Sequence, residues 1–155
     1  MAVEIERKYL VINDKWKSSV DSESTLKQGY LATVPKASIR VRVANDKAHL
    51  NIKSVTLGIS RSEYEYEIPL EDGEEMLANL TTDPIIDKVR YRVRCGDHTW
   101  DLDLFHGDNE GLIVAEIELA SEDEVFEVPE WVGEEVSGDP KYYNASLVKH
   151  PYCDW

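Results

Sequence analysis

Strict alternation of charged and apolar residues, repeated along at least six segments, is the feature that most constrains the fold of this chain. Successive side chains of a β-strand point to opposite faces, so each segment presents one charged face and one apolar face. The charged faces are also sorted by sign, with pairs such as Arg40 and Arg42, or Glu116 and Glu118, on single segments. Like charges repel, so such pairs favour a place where a counter-charge or a ligand lies between them.

Turn signals divide the chain into strands and a few helices. Around Glu4–Lys8 and six or more later segments, alternation predicts strands. These later strands are expected over Leu26–Thr33, Ile39–Val43, Ala48–Ser54, Arg61–Ile68, Ile86–Cys95, Thr99–Phe105 and Leu112–Ala120. Helical spacing predicts a helix over Glu71–Leu80, a short helical turn from Ser121 to Pro129, and a last helix over Asp139–His150.

Two architectures fit this alternation. An open antiparallel sheet with one face in water alternates in the same way, but it favours mixed polar residues on the wet face. A closed barrel would place the charged faces in its lumen and bury the apolar side under the helices. The pattern alone leaves both possibilities open.

Composition limits the partners and the number of domains. The 155 residues fit a single domain, residues 1–155, and the net charge of −14 argues against nucleic acid or an anionic membrane as a partner. Neither a membrane-spanning apolar run nor a signal segment is recognisable. Cys95 and Cys153 stand apart from any zinc-type spacing, which favours free thiols and a cytoplasmic location. We expect a monomer or a homodimer.

The first strand has a chemically distinctive face. Alternation places Glu4, Glu6 and Lys8 together, with two carboxylates about 7 Å apart along the strand. Carboxylate oxygens are ligands for hard divalent cations, and the lysine beyond them suits an anion. The simpler interpretation is the solvent-facing side of an edge strand.

An ordered series of motifs resembles the CYTH superfamily, the triphosphate tunnel metalloenzymes. The series begins with Glu4-x-Glu6-x-Lys8 and covers nearly the whole chain. It continues through Gln28–Leu31, Arg40–Arg42, Ile52–Lys53, Glu63–Glu65, Lys88–Tyr91, Trp100–Asp103, Gly111–Leu119 and Lys141–Asn144. A slight departure is Asp101, where the family often has Glu.

This resemblance implies a mainly β (α+β) fold, an eight-stranded antiparallel closed β-barrel whose charged lumen forms a tunnel, with helices packed outside. It implies Mg²⁺ or Mn²⁺ as cofactor and a small anionic triphosphate as substrate. The implied metal ligands are Glu4, Glu6, Glu116 and Glu118, with Glu63 and Glu65 as further candidates. The implied phosphate-binding residues are Lys8, Arg40, Arg42, Lys53, Lys88 and Arg90. Lys88, Glu6 and Arg90 are the expected catalytic residues, and Asp101, Asp103, Arg92 and Lys141 are additional candidates.

The resulting hypothesis is a metal-dependent triphosphatase that cleaves inorganic tripolyphosphate to pyrophosphate and phosphate. Phosphoryl transfer depends mainly on positioning and charge neutralisation, which cationic side chains and a metal ion supply. Alternatives are a class IV adenylate cyclase, a thiamine or nucleoside triphosphatase, and a non-catalytic module that binds polyphosphate or nucleotides. No P-loop signature is present.

Overall fold

A computed structural model describes residues 3–55 and 58–155 of the protein. In these ranges the chain forms nine strands and two α-helices. The strands are β1 (Val3–Val11), β2 (Val20–Val34), β3 (Ala37–Ala44), β4 (Lys47–Ser54), β5 (Ser60–Ile68), β6 (Ile86–Cys95), β7 (His98–Phe105), β8 (Ile113–Glu118) and β9 (Val132–Glu135). The helices are α1 (Leu70–Asn79) and α2 (Asn144–Leu147).

The first eight strands close into an antiparallel barrel. Their order is β5-β4-β3-β2-β6-β7-β8-β1, and β1 closes the ring by pairing with β5 through Val3 and Ser62. The same edge of β1 pairs further along with β9. Closure of the ring removes the sheet edges, so the open-sheet alternative is wrong. The charged faces of the strands lie inside the ring.

The register between strands determines which side chains enter the lumen. Directly paired residues point to the same face, and the pairs Lys8 with Glu116 and Arg90 with Asp103 place both signs of charge inside. On the outside, Trp100 packs edge-on against Tyr9 and Trp131, with ring centroids 5.6 and 5.5 Å apart. This outer cluster of buried apolar residues forms the main core.

One end of the lumen is apolar and is filled by the tail of the chain. The lumen face of β1 continues from Lys8 to Leu10, which lies in a cluster with Phe105 and Val114. Tyr142, Leu147 and Val148 pack into this cluster from the tail. The tail therefore packs against this end of the barrel.

Two of the predicted helices are wrong. Residues 121–129 form a turn followed by an extended segment, in which the side chain of Glu124 accepts a hydrogen bond from the Ala120 amide and Phe126 packs on Trp100. The tail is a 3₁₀ turn and α2 separated by Tyr143, whose backbone is extended so that the chain turns into the barrel. The outer cover is therefore mostly irregular chain, with α1 over β3 and β4.

Some strand bounds also differ from the prediction. β2 begins at Val20, six residues before the predicted start, because its polar first half still pairs with β6. β9 was missed because four residues at a strand edge carry too short a pattern to recognise. No helix within the described ranges is long and apolar enough to cross a bilayer.

Gly73 lets α1 approach β4 closely. A Cβ added at Gly73 would lie 2.4 Å from the Cβ of Ala48, an atom that the backbone holds in place. We expect Gly73→Ala to lower the free energy of unfolding by about 1–2 kcal/mol, because the overlap outweighs the helix propensity that alanine adds. Urea denaturation measures this change.

The double variant Gly73→Ala/Ala48→Gly is the matched control. Removing the opposing methyl group should recover part of the lost stability, and the coupling follows from a double-mutant cycle. Additive effects of the two substitutions would contradict the close contact as the cause.

Candidate active site

The lumen contains a cavity of about 250 Å³, lined by most of the residues that the sequence singled out. This volume lies below the range of pockets for drug-sized ligands and suits a small ligand. The predicted site residues that line it are Glu4, Glu6, Lys8, Arg40, Arg42, Lys53, Glu63, Glu65, Lys88, Arg90, Asp101, Glu116 and Glu118.

Three of the candidate residues lie elsewhere. Asp103 is fully buried behind the cavity wall, where it contacts Lys88 and Arg90. Arg92 is half-exposed and lies 2.7 Å from Asp101. Lys141 lies over the ring of Trp155, with 4.5 Å between its Nζ and the ring centroid. None of the three side chains lines the cavity of the described chain.

Arg61 holds two of the predicted metal ligands and was missed in the sequence. Its Nε donates to Glu4 Oε1 at 3.1 Å, and its second terminal nitrogen lies 3.5 Å from Glu6. Lys53 contacts the same acidic wall of the cavity, which is formed by Glu4, Glu6, Glu63 and Glu116. Its Nζ lies 2.8 Å from Glu63 and 3.6 Å from Glu4. The signal for Arg61 was its place on the lumen face of β5, where the neighbouring glutamates suggested an acidic strand.

The pKa values of Glu6 and Glu116 are shifted in opposite directions. Burial, and then the charges of Glu116 and Glu4, raise the pKa of Glu6 to about 8. Burial alone would also raise the pKa of Glu116, but Lys8, Arg90 and Lys88 hold it well below its ordinary value. The Glu6 carboxyl therefore tends to keep its proton at neutral pH beside an ionised Glu116, because burial and the charges of Glu116 and Glu4 disfavour its ionised form.

A divalent metal ion fits the donor chemistry of this wall. The partly buried carboxyl groups of Glu4, Glu6 and Glu116 could supply the hard oxygen ligands that Mg²⁺ and Mn²⁺ prefer. Burial is the main cause of the raised pKa of Glu6, and the charges of Glu116 and Glu4 add to it, so a cation bound beside these carboxyl groups would favour their ionised forms. In residues 3–55 and 58–155, however, no three acidic, histidine or cysteine side chains are already gathered as a metal centre.

Asp103 joins two cations of the opposite wall. It accepts from Lys88 Nζ at 2.8 Å and receives two hydrogen bonds from Arg90, at 2.8 and 2.9 Å. Burial would raise the pKa of Asp103, but Arg90 and Lys88 lower it to about 2. Burial disfavours the charged form of Lys88 and lowers its pKa to about 7. Arg90 keeps its charge, so the carboxylate stays ionised.

Arg40 and Arg42 differ from the other cations that line the cavity. Lys8, Lys53, Arg61, Lys88 and Arg90 each have a carboxylate oxygen within 3.5 Å. Neither Arg40 nor Arg42 forms an ion pair with any residue that the structure describes, and the buried Nε of Arg40 has no hydrogen-bond partner there. Burial, with the nearby Arg40 and Arg90, lowers the pKa of Arg42 to about 9. These two guanidinium groups therefore carry positive charge that no ion pair in the described chain offsets.

Gln28 and Asn144 connect Arg42, one of the cations that line the cavity, to the tail of the chain. Arg42 Nε donates to Gln28 Oε1 at 3.0 Å, and Gln28 Nε2 donates to Asn144 Oδ1 at 3.0 Å. Both residues stand in motifs of the family resemblance. Their part in the site was missed, because a neutral amide gives no charge pattern from which a lumen position is predicted.

Comparison with known proteins agrees with this geometry. The family model described as the CYTH domain matches residues 2–152. The chain belongs to the CYTH domain family. The resemblance inferred from the motifs is thus confirmed, as is the closed eight-stranded barrel.

Similar proteins extend over almost the full length of this CYTH domain. An inorganic triphosphatase of Acetivibrio thermocellus is 48% identical over 152 residues, which cover 98% of this chain and 97% of the relative. An inorganic triphosphatase of Nitrosomonas europaea is 36% identical, and the match covers 94% and 96% of the two chains. The crystal structure of an inorganic triphosphatase, 34% identical, superposes with a TM-score of 0.67 and covers 96% of this chain and 95% of its own.

Asp103→Asn tests the buried network of this CYTH barrel. The substitution leaves Lys88 and Arg90 buried without their carboxylate, so we expect a loss of roughly 3–5 kcal/mol in the free energy of unfolding at pH 7. Because the folded protein lowers the pKa of Asp103 to about 2, its stabilising contribution is present above pH 4 and is lost as the pH falls towards 2. The difference in free energy of unfolding between the wild type and Asp103→Asn should therefore become smaller as the pH falls from 4 towards 2.

Asp101→Asn is the matched control, since Asp101 is partly exposed and lies 2.7 Å from the half-exposed Arg92, with Arg90 farther away at 3.7 Å. Asp101→Asn should lower the free energy of unfolding only slightly, by at most about 1 kcal/mol. Equal effects of the two substitutions would argue against Asp103 as the carboxylate that maintains the cationic wall.

Proposed function

We propose that this chain is a metal-dependent triphosphatase that hydrolyses inorganic tripolyphosphate to pyrophosphate and phosphate. The observation that carries the proposal is the pair of lumen arginines without an ion pair in the described chain, Arg40 and Arg42. A buried cation without a counter-charge is costly, so its presence points to a ligand that supplies the charge. The names of the two relatives support the choice of substrate.

The opposed walls match the two parts of a metal–triphosphate complex. The cationic wall, formed by Arg40, Arg42, Lys53, Lys88 and Arg90, offers donors to the phosphate oxygens, and Lys8 adds a cation on β1. Guanidinium groups suit these oxygens because their planar fork donates two parallel hydrogen bonds. The acidic wall would hold Mg²⁺ or Mn²⁺ through Glu4, Glu6 and Glu116, with Glu63, Glu65 and Glu118 as further ligands.

The bound metal would neutralise phosphate charge and lower the pKa of a coordinated water. The side chains do the rest by position. Arg40 and Arg42 hold the chain of phosphates against one wall, while Lys88 and Arg90 stabilise charge that accumulates on the leaving oxygens. Asp103 keeps both of these cations in place, and this preorganisation lowers the barrier because the groups need not reorient during the reaction.

Two alternatives would use the same pocket. An adenylate cyclase would convert ATP into cyclic AMP and pyrophosphate, and a binding module would hold polyphosphate without cleaving it. The small cavity and its mostly charged lining favour a bare phosphate chain over a nucleotide. The surplus of carboxylates favours an enzyme, because a binder of anions gains nothing from an acidic wall unless metal ions accompany the ligand.

Phosphate release is the direct test. The wild-type protein should release phosphate from tripolyphosphate with Mg²⁺ or Mn²⁺, and chelation by EDTA should stop the reaction. Glu6→Gln removes a central metal ligand, so we expect kcat to fall by a factor on the order of 10² or more, with the fold retained by circular dichroism. Glu67→Gln, on the same barrel but not among the residues that line the cavity, is the control.

Each alternative predicts a different outcome of this assay. A binding module would bind tripolyphosphate in calorimetry yet release no phosphate with either metal. A cyclase would turn ATP into cyclic AMP faster than it hydrolyses tripolyphosphate. An active Glu6→Gln protein would remove the assignment of the metal ligand.

Arg40→Gln should affect stability and affinity in opposite directions. Without ligand, the variant should melt at the same temperature as the wild type or higher, because it removes a buried charge that no described carboxylate balances. Its Kd for the metal–tripolyphosphate complex should rise by roughly 10–100-fold, the loss expected for a hydrogen bond to a charged group.

The ligand-induced rise in Tm should shrink accordingly, because stabilisation by a ligand depends on its affinity. Arg94→Gln is the control, since Arg94 is exposed and pairs with Asp21. If Arg40→Gln lowered the Tm of the free protein and left the Kd unchanged, Arg40 would be a structural residue.

A further inference from the structure

Asn51 is a fully buried polar residue that lies behind the lining of the cavity. Its strand, β4, runs between β3 and β5, and its direct partners there are Arg40 and Glu65. Directly paired residues of a sheet point to the same face. The three side chains therefore form a row across the barrel wall, with Asn51 between the other two.

The hydrogen bond to Glu65 determines which way the amide of Asn51 points. Asn51 Nδ2 donates to Glu65 Oε2 at 2.7 Å, and because an ionised carboxylate only accepts, the atom beside it must be the nitrogen. The Oδ1 of Asn51 is then left without a hydrogen-bond partner in residues 3–55 and 58–155, and so is the Nε of Arg40. A buried acceptor and a buried donor, both unsatisfied, thus belong to directly paired residues.

These two unsatisfied atoms are complementary. A buried polar atom without a partner has lost its hydration without return, and a single hydrogen bond between Arg40 and Asn51 would remove that cost for both residues. A guanidinium group donates from three nitrogens, so Nε can bond to Asn51 while the two terminal nitrogens remain available to an anion.

Arg42 shows the same arrangement with the hydrogen bond already formed. One of its direct strand partners is Gln28, and Arg42 Nε donates to Gln28 Oε1 at 3.0 Å. An amide oxygen orients a guanidinium group without offsetting its charge, whereas the carboxylate of Asp103 both orients and neutralises Arg90. The two lumen arginines that form no ion pair in the described chain thus each have a neutral amide as a direct partner.

We propose that Asn51 is a positioning residue for Arg40. When an anion occupies the pocket, Asn51 Oδ1 accepts a hydrogen bond from Arg40 Nε and holds the terminal nitrogens towards the phosphate oxygens. The bond to Glu65 keeps the amide from turning, so the acceptor is already in place when the ligand arrives. This inference rests on the proposed triphosphatase function and adds to it a residue that does not touch the substrate.

Threonine and valine at position 51 separate the hydrogen bond from the packing. They have nearly the same shape, and both are β-branched, which suits a strand. The threonine hydroxyl can accept from Arg40 and donate to Glu65, whereas valine can do neither. Asn51→Val should raise the KM for tripolyphosphate with Mg²⁺ roughly 3–10-fold and leave kcat unchanged, because the bond acts in substrate binding. Asn51→Thr should recover at least half of this loss.

A double-mutant cycle identifies the partner of Asn51. In the Arg40→Gln background, Asn51→Val should change the KM by less than about twofold, because the group that Asn51 orients is gone. The Arg42→Gln background is the matched control, and there the full rise in KM should persist, since Arg42 is bonded to Gln28. An effect that acts through Glu65 would instead appear in both backgrounds.

An unchanged KM in Asn51→Val, equal effects of valine and threonine, or an undiminished effect of valine in the Arg40→Gln background would overturn the proposal. Thermal melting confirms that each variant is folded, and Asn51→Ala takes the place of the valine variant in the cycle should that variant fail to fold. If the wild type releases no phosphate from tripolyphosphate, the proposed function fails, and the same cycle in calorimetric Kd values for the Mg²⁺–tripolyphosphate complex still decides the role of Asn51. A wild type that does not bind this complex would overturn both.

Discussion

The cost of removing charges from water governs this barrel. A closed ring of eight strands leaves little solvent in the lumen. Each charged group inside therefore forms an ion pair, has a shifted pKa or remains without a counter-charge from the protein. All three outcomes occur. Lys88 and Arg90 share Asp103, the pKa of Glu6 rises until it keeps its proton, and Arg40 and Arg42 remain without an ion pair in the described chain. The unsatisfied groups identify the site more directly than the satisfied ones do.

Alternation predicted the strands because the pleat imposes a period of two on each of them, whereas the closed barrel followed from the resemblance to the CYTH superfamily. Alternation predicted most of the lumen residues for the same reason, since one charged residue on a face fixes the direction of its neighbours two positions away. The pairing of the charges was not predictable, because partners such as Lys88 and Asp103 belong to different strands, and register between strands depends on the whole barrel. Most of the charged lumen side chains form ion pairs with residues of other strands, so the barrel itself supplies much of the counter-charge that the like-charged pairs favour.

The tail shows where local pattern fails for another reason. Asp139–His150 has the composition of one helix, yet Tyr143 interrupts it with an extended backbone. The interruption lets the carbonyl oxygen of Tyr142 accept from Lys8 Nζ at 3.1 Å, while Leu147 enters the apolar end of the barrel. Tertiary contacts thus outweigh helix propensity, as they commonly do in a short segment that cannot form a stable helix alone.

In the proposed reaction the two ligands depend on each other through the ion pairs of the lumen. Arg61 and Lys53 form ion pairs with Glu4 and Glu63, which are among the groups that a metal ion would use. A metal ion that takes these carboxylates sets both cations free, and a triphosphate supplies the oxygens that they then need. Phosphate binding alone would leave the carboxylates without their cations, and metal binding alone would leave the cations without a counter-charge. Under the proposed function, each ligand would therefore lower the cost of binding the other, and the pocket would favour the metal–triphosphate complex over either component.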